Sequence, residues 1–272
     1  MSENNSRGIR GVILDWAGTS VDCGCRGPAA VFARAFEDFG VSPTIEEIRG
    51  PMGMEKREHV RTMLATPRLA ALWEQRWGKK PDDKDIDNVF GKVQALMPDV
   101  LADYAKPVPG CVEAIDSLRA KGIKIGSCTG YRKDMMSRLI PAAREAGFSP
   151  DCLVTADEVP EGRPMPWMCQ LNCMRLNLFP PESIVKVGDT IADIQEGVRA
   201  GHWSVGVTRT SNALGYSEEE LQKEDPEVIR RKEEALAKEF RGAGAHYVIG
   251  SIADLPELCD EISLAMTNGR RP

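Results

Sequence analysis

Asp15 closes the apolar run "GVILD" and is followed by Trp16, Ala17, Gly18 and Thr19. A carboxylate placed after a strand can attack phosphorus and carry the phosphoryl group as an acyl phosphate. Asp189 and Asp193 stand four apart in "VGDTIAD", behind another apolar run. In "SCTGYR", Ser127, Thr129 and the backbone amides around Gly130 can hold phosphoryl oxygens. Arg163, in "EGRPMPW", can clamp the phosphoryl group or the carboxylates. Converging carboxylates repel one another and raise a pKa. A hard divalent ion removes that conflict: Mg²⁺ accepts one or two carboxylates with phosphoryl oxygen and water, and keeps Asp15 ionised.

A second chemistry is suggested by "GPMGMEKREHVR". Pro51 and Gly53 mark a turn, Lys56 lies in the first turns of a helix, and His59 at i+3 shares its face. A lysine of ordinary pKa, ~10.4, is almost wholly protonated at neutral pH. Burial or a nearby positive charge would free the amine to form an imine with an aldehyde, His59 shuttling protons.

The elements that must position these groups are short apolar runs, each leading through a polar turn into a helical pattern. Residues 11–15, 123–130, 152–155, 183–189, 203–208 and 245–249 read as strands. Their unbroken apolar character implies a parallel sheet covered on both faces, an α/β, doubly wound fold whose ligands lie at the carboxyl ends of the strands. Gly122 closes the helix "VEAIDSLRAKG". Residues 26–104 break the alternation with five helix-like stretches, read as an inserted α-helical cap domain; residues 1–25 and 105–272 form the core domain. Within the insertion, "RLAALWEQRW" is either a subunit contact or part of the helical core. The charge-rich "SEEELQKEDPEVIRRKEEALAKEF" reads as a solvated helical face.

Composition narrows the partners. The chain has 272 residues, 42% hydrophobic and 28% charged, with a net charge of −6 and no basic run, so no nucleic-acid role is expected. The polar start "MSENNSRGIR" lacks the apolar segment of an export signal, and no run approaches a membrane span. A cytoplasmic protein is expected. Its eight cysteines are then expected as buried free thiols; Cys169 and Cys173 have helical spacing, but no zinc quartet can be assembled with three histidines.

The segment D-W-A-G-T resembles the D-x-D-G-T nucleophile motif of the haloacid dehalogenase superfamily. In that motif the second Asp protonates the departing alcohol, and here Ala17 takes its place. The loss is harmless if the leaving atom is carbon: attack at phosphorus then expels an enamine whose electrons are taken up by a protonated imine on Lys56. "DWAGTSVDCGC", "PMGMEKREHVR", "GIKIGSCTGYR", "GRPMPWM", "KVGDTIADI" and "GAHYVI", in this order, closely resemble the phosphonatase family of that superfamily.

The resemblance implies cleavage of phosphonoacetaldehyde to acetaldehyde and phosphate, with Mg²⁺, in a homodimer acting in 2-aminoethylphosphonate degradation. It implies Asp15 as nucleophile and Lys56 as Schiff-base lysine. It gives the metal to the Asp15 carboxylate, the Ala17 carbonyl and Asp189. It makes Met52, Cys25, Tyr131 and His59 neighbours of the aldehyde, places Thr129, Gly130 and Arg163 around the phosphoryl group, and leaves Asp193, Gly18 and Thr19 in support. Trp16 is expected to pack where the insertion begins. Three alternatives stay open: a phosphatase or mutase of the same superfamily, a metal-independent dehalogenase, and a non-catalytic phosphate-binding protein.

Overall fold

The computed structural model describes residues 8–272 apart from Gly53 and Glu55, so the polar start of the chain and the turn expected at Gly53 lie outside the described residues. Six strands form one sheet: β1 (Gly11–Leu14), β2 (Lys124–Thr129), β3 (Cys152–Thr155), β4 (Ile184–Gly188), β5 (Trp203–Val207) and β6 (Tyr247–Ile249). Their order is β3-β2-β1-β4-β5-β6 and every pair is parallel. Each corresponds to an expected strand. β1, β4 and β5 are buried along their whole length, as strands covered on both faces must be.

β1 lies in the middle, and the chain crosses over to either side of it. The topological switch opens a crevice beyond its carboxyl end. Leu14 is in register with Ser127 of β2 and Val187 of β4, so Asp15, the end of β2 and Asp189 emerge along one edge.

Between β1 and β2 run α1 (Arg26–Asp38), α2 (Ile45–Arg49), α3 (Lys56–Leu64), α4 (Pro67–Trp77) and α5 (Asp83–Ala102), with no strand among the described residues there. Their ends are locally encoded. Thr44 with Glu47, and Asp82 with Asp85, make capping boxes at the starts of α2 and α5. Gly78, at φ +72°, ends α4 in the left-handed region that favours glycine. In α4 the two alternatives separate: Leu69 and Trp73 are buried, so its apolar face belongs to the helical core. The two crossings between sheet and inserted helices lie side by side, Asp22 N–H donating to Lys106 O and Val108 N–H to Ser20 O.

The remaining helices are α6 (Cys111–Ala120), α7 (Met136–Glu145), α8 (Trp167–Leu176), α9 (Ile191–Arg199), α10 (Glu218–Lys223), α11 (Pro226–Gly242) and α12 (Leu255–Thr267). The charge-rich stretch is two helices, parted at Glu224 and Asp225, and it is not wholly solvated. Ile229, Leu236 and Phe240 of α11 are buried, and the Phe240 ring occupies the space that a Cβ on Gly206 would need. Trp16 also departs from expectation. Its ring meets Phe148 edge-on at 5.0 Å, and its Nε1–H donates to Ser127 Oγ at 3.0 Å.

Candidate active site

The turn after β1 is built around one carbonyl. Trp16 O accepts from the N–H groups of Thr19, Ser20 and Val21, and Gly18 takes φ +84°. A Cβ on Gly18 would lie 2.4 Å from Asp189 Oδ2, so this glycine is what lets the turn approach the second carboxylate. Thr19 Oγ1 donates to Asp189 Oδ1 at 3.2 Å and Asn212 N–H to Asp189 Oδ2 at 2.8 Å.

Among the described residues, carboxylate oxygens of Asp15, Asp189 and Asp193 lie within 4.8 Å of one another, all on buried residues. Burial, then Asp15 and Asp193, pushes Asp189 well above the usual carboxylate range. Burial raises Asp15 too, against the pull of Arg163. Burial alone would raise Asp193, but Arg163 and then Lys186 outweigh it and hold that carboxyl low.

Asp193 is already committed. It receives Lys186 Nζ at 2.8 Å, Thr190 Oγ1 at 2.6 Å and Arg163 Nε at 3.1 Å. Asp15 pairs with Arg163 through Oδ1 and Asp189 accepts only from Thr19 and Asn212 among the described residues, so these two carboxylates remain to hold a cation. The formal charges of Asp15, Asp189, Asp193 and Glu196 against Arg163 and Lys186 leave this buried cluster at −2, which one divalent ion brings to neutrality. Hard oxygen donors and that charge fit a divalent metal.

A cavity of about 460 Å³ joins the sheet edge to the inserted helices; Asp15, Ala17, Thr129, Gly130, Arg163 and Asp189 line it from one side, Cys25, Met52 and Lys56 from the other, with Tyr131. Lys56 Nζ lies 5.7 Å from the Tyr131 ring centroid and 5.8 Å from that of Phe32. Tyr131 Oη is buried without a hydrogen-bond partner. Thr129 Oγ1 accepts from Tyr131 N–H, making a local turn while it faces the cavity. Burial, more than the neighbouring carboxylates, pushes the Cys25 thiol up.

Two expectations change. Ser127 does not face the cavity, because its hydroxyl accepts from Trp16 and lies 3.3 Å from Cys152 O. His59 is fully buried and not part of the cavity lining; its Nε2 meets Ile48 O at 2.8 Å and its ring stacks on Phe32 at 3.9 Å. Burial and then Lys56 push its pKa down to about 3, so it is a neutral imidazole beneath the lysine. The thiols at helical spacing also part company: Cys173 faces His202, while Cys169 gathers with Cys128 and Glu196.

Residues passed over in the sequence complete the site. Lys186, fully buried, bridges Asp193 and Glu196. Glu196 also receives Arg163 Nε at 2.9 Å, while Arg163 Nη2 reaches Cys128 O at 3.0 Å. The signals were present: a lysine inside the apolar run "SIVKVGD", and a glutamate one turn beyond Asp193.

Residues 9–201 match the haloacid dehalogenase-like hydrolase family. Phosphonoacetaldehyde hydrolase from Nitratidesulfovibrio vulgaris is 49% identical over 97% of this chain and 94% of its own. A phosphonoacetaldehyde hydrolase-like protein from Syntrophobacter fumaroxidans is 46% identical over 97% and 95%. The crystal structure of a phosphonoacetaldehyde hydrolase-like protein from Oleispira antarctica superposes with a TM-score of 0.92 at 34% identity, covering all of both chains.

Proposed function

The chain belongs to the haloacid dehalogenase-like hydrolases and, among them, to the phosphonoacetaldehyde hydrolase family; from that premise we propose that it hydrolyses the C–P bond of phosphonoacetaldehyde to acetaldehyde and phosphate. The observation that carries this reading is a single one: Asp15 and Lys56 line one cavity, and no acidic side chain stands at position 17.

The lysine amine adds to the aldehyde and water leaves, giving an imine that is then protonated. The Asp15 carboxylate attacks phosphorus, the C–P bond breaks, and its electron pair passes into the protonated imine as an enamine. Carbon takes up a proton, water releases acetaldehyde from Lys56, and a further water frees phosphate from Asp15. The leaving atom is carbon, so Ala17 costs nothing. Arg163 and the amides at Gly130 orient the phosphonyl oxygens, with the Thr129 hydroxyl beside them. Tyr131 Oη, buried without a hydrogen-bond partner and kept protonated by burial, donates toward the aldehyde oxygen in this reading. Met52 and Cys25 keep that end of the cavity apolar. A Mg²⁺ ion held by Asp15, Asp189 and the Ala17 carbonyl would supply charge neutralisation at the phosphonyl group.

In this reading residues 26–104 act as a cap over a core of residues 1–25 and 105–272, and the chain works as a homodimer. Trp167 and Met174, one heptad apart on α8, are exposed with Phe179 beyond them, an apolar face suited to a second copy.

The test is borohydride reduction with phosphonoacetaldehyde present. Irreversible inactivation and a two-carbon adduct on Lys56, or its phosphonylated precursor, are expected by peptide mass mapping, and Lys56→Arg abolishes both turnover and labelling. A label on another lysine, or substantial activity in that variant, contradicts the reading.

A further inference from the structure

We infer that Arg49 is a positioning residue for C–P cleavage, a latch seating the Lys56-bearing helices on the loop that holds Asp189. The inference rests on the reading above. Arg49 ends α2, and its Nη2 donates to Gly215 O at 2.8 Å across the junction between the inserted helices and the sheet side of the molecule. Gly215 has φ +68°, and a Cβ there would lie 1.4 Å from Arg49 Nη1 and 2.2 Å from Cζ. The guanidinium thus lies directly on the glycine, and any side chain would expel it.

The seat is tied to the reacting carboxylates. In the same loop Thr210 Oγ1 donates to Gly18 O at 2.7 Å, and Asn212 N–H donates to Asp189 Oδ2 at 2.8 Å. The other end of the latch is tied to the lysine. Ile48, beside Arg49, offers its carbonyl to His59 Nε2, and His59 stacks on Phe32, over which Lys56 Nζ lies. Seating Arg49 therefore fixes α2 and α3 with respect to Asp15 and Asp189 at once.

A neighbouring bridge across the junction, Arg26 to Glu220, is a solvent-exposed pair with little orienting power. Arg49 Nε is buried without a hydrogen-bond partner. Water regained there on release offsets the lost Gly215 bond, so the latch can open in each turnover.

Imine formation does not call on Asp15, whereas C–P cleavage needs Asp15 within reach of phosphorus. The experiment compares wild type with Arg49→Met, Arg49→Lys, Gly215→Ala and the double variant Arg49→Met/Gly215→Ala. Borohydride trapping at Lys56, which also reports folding, is expected to stay within about twofold of wild type, while single-turnover phosphate release slows by about tenfold or more in Arg49→Met and Gly215→Ala. Arg49→Lys recovers part of the rate, and the double variant is no slower than the worse single one, because both remove one contact. Normal trapping with unchanged phosphate release in Arg49→Met overturns the latch alone, as do multiplying effects in the double variant. A wild-type protein that turns over phosphonoacetaldehyde without trapping at Lys56 overturns the imine reading and the latch with it.

Discussion

Arg163 Nη2 lies 2.6 Å from Asp15 Oδ1, with the two side chains only 10% and 8% exposed. The guanidinium is held from behind by Glu196, Asp193 and the Cys128 carbonyl, so its direction is set before substrate arrives. Such preorganised charge is worth most where water is excluded.

Arg163→Lys tests that geometry. An ammonium on a shorter, flexible stem cannot span Glu196, Cys128 O and Asp15 together. Loss of the oriented donor is expected to lower kcat/KM by about 10²-fold. Steady-state phosphate release measures it, and a loss below threefold would show that charge without direction suffices.

Position 17 makes a prediction about substrates. A phosphate ester needs a proton on its leaving oxygen, and a positioned general acid contributes about 10²–10⁴-fold. Ala17 has none to give. Turnover of glycerol phosphate, whose leaving alkoxide must be protonated, is expected to fall below that of phosphonoacetaldehyde by at least about 10³-fold. Comparable rates would favour a phosphatase or mutase.

The −2 charge of the buried cluster predicts a dependence on a divalent ion. EDTA is expected to abolish turnover and Mg²⁺ to restore it. Mg²⁺ at about 100 times its Kd raises the unfolding free energy of the wild type by about 2.7 kcal/mol, and Asp189→Asn loses most of that gain. Full activity in EDTA would instead point to a dehalogenase-like reaction.

Much of this site was legible before any coordinates. Asp15, Thr129 and Asp189 each end an apolar run, and a parallel sheet carries such ends to one edge. Lys56 needed a further inference, from the missing acid at position 17 to an electron sink. What escaped reading depends on tertiary burial. His59 shares a helical face with Lys56, yet only its packing against Phe32 and Ile48 shows that it is buried outside the cavity lining. Ser127 shares a face of β2 with Thr129, two residues on, but it lies deeper along the strand, where its hydroxyl is taken by Trp16. Gly215 and Arg49 lie 166 residues apart, and no local pattern links them.

His59 also sets an acid limit on stability. Its folded pKa is lowered to about 3, and that of His202 to about 4, chiefly by burial. Below the ordinary value of about 6.5 the unfolded chain binds protons that the folded one refuses. Stability is therefore whole above pH 6.5 and falls as pH drops through the window below it, by up to about 1.4 kcal/mol per unit for each histidine. Urea unfolding at pH 7.5 and 5.0 is expected to show the loss, with a shallower slope in His59→Gln. An equal slope in that variant would mean His59 is not held neutral.

Lys186 carries the last prediction. Its Nζ, with no exposure, lies 2.8 Å from Asp193 and 3.4 Å from Glu196. Lys186→Met leaves two buried carboxylates dependent on Arg163, and uncompensated burial of this kind costs about 3–5 kcal/mol. Adding Glu196→Gln removes one negative charge and restores the balance, while the amide oxygen can still accept from Arg163 Nε. The double variant is therefore expected to regain a large part of the loss, a coupling that urea unfolding of the four-member cycle measures directly. If the two substitutions simply add, Lys186 is not there to balance Glu196, and the charge count used to infer a divalent ion loses its footing.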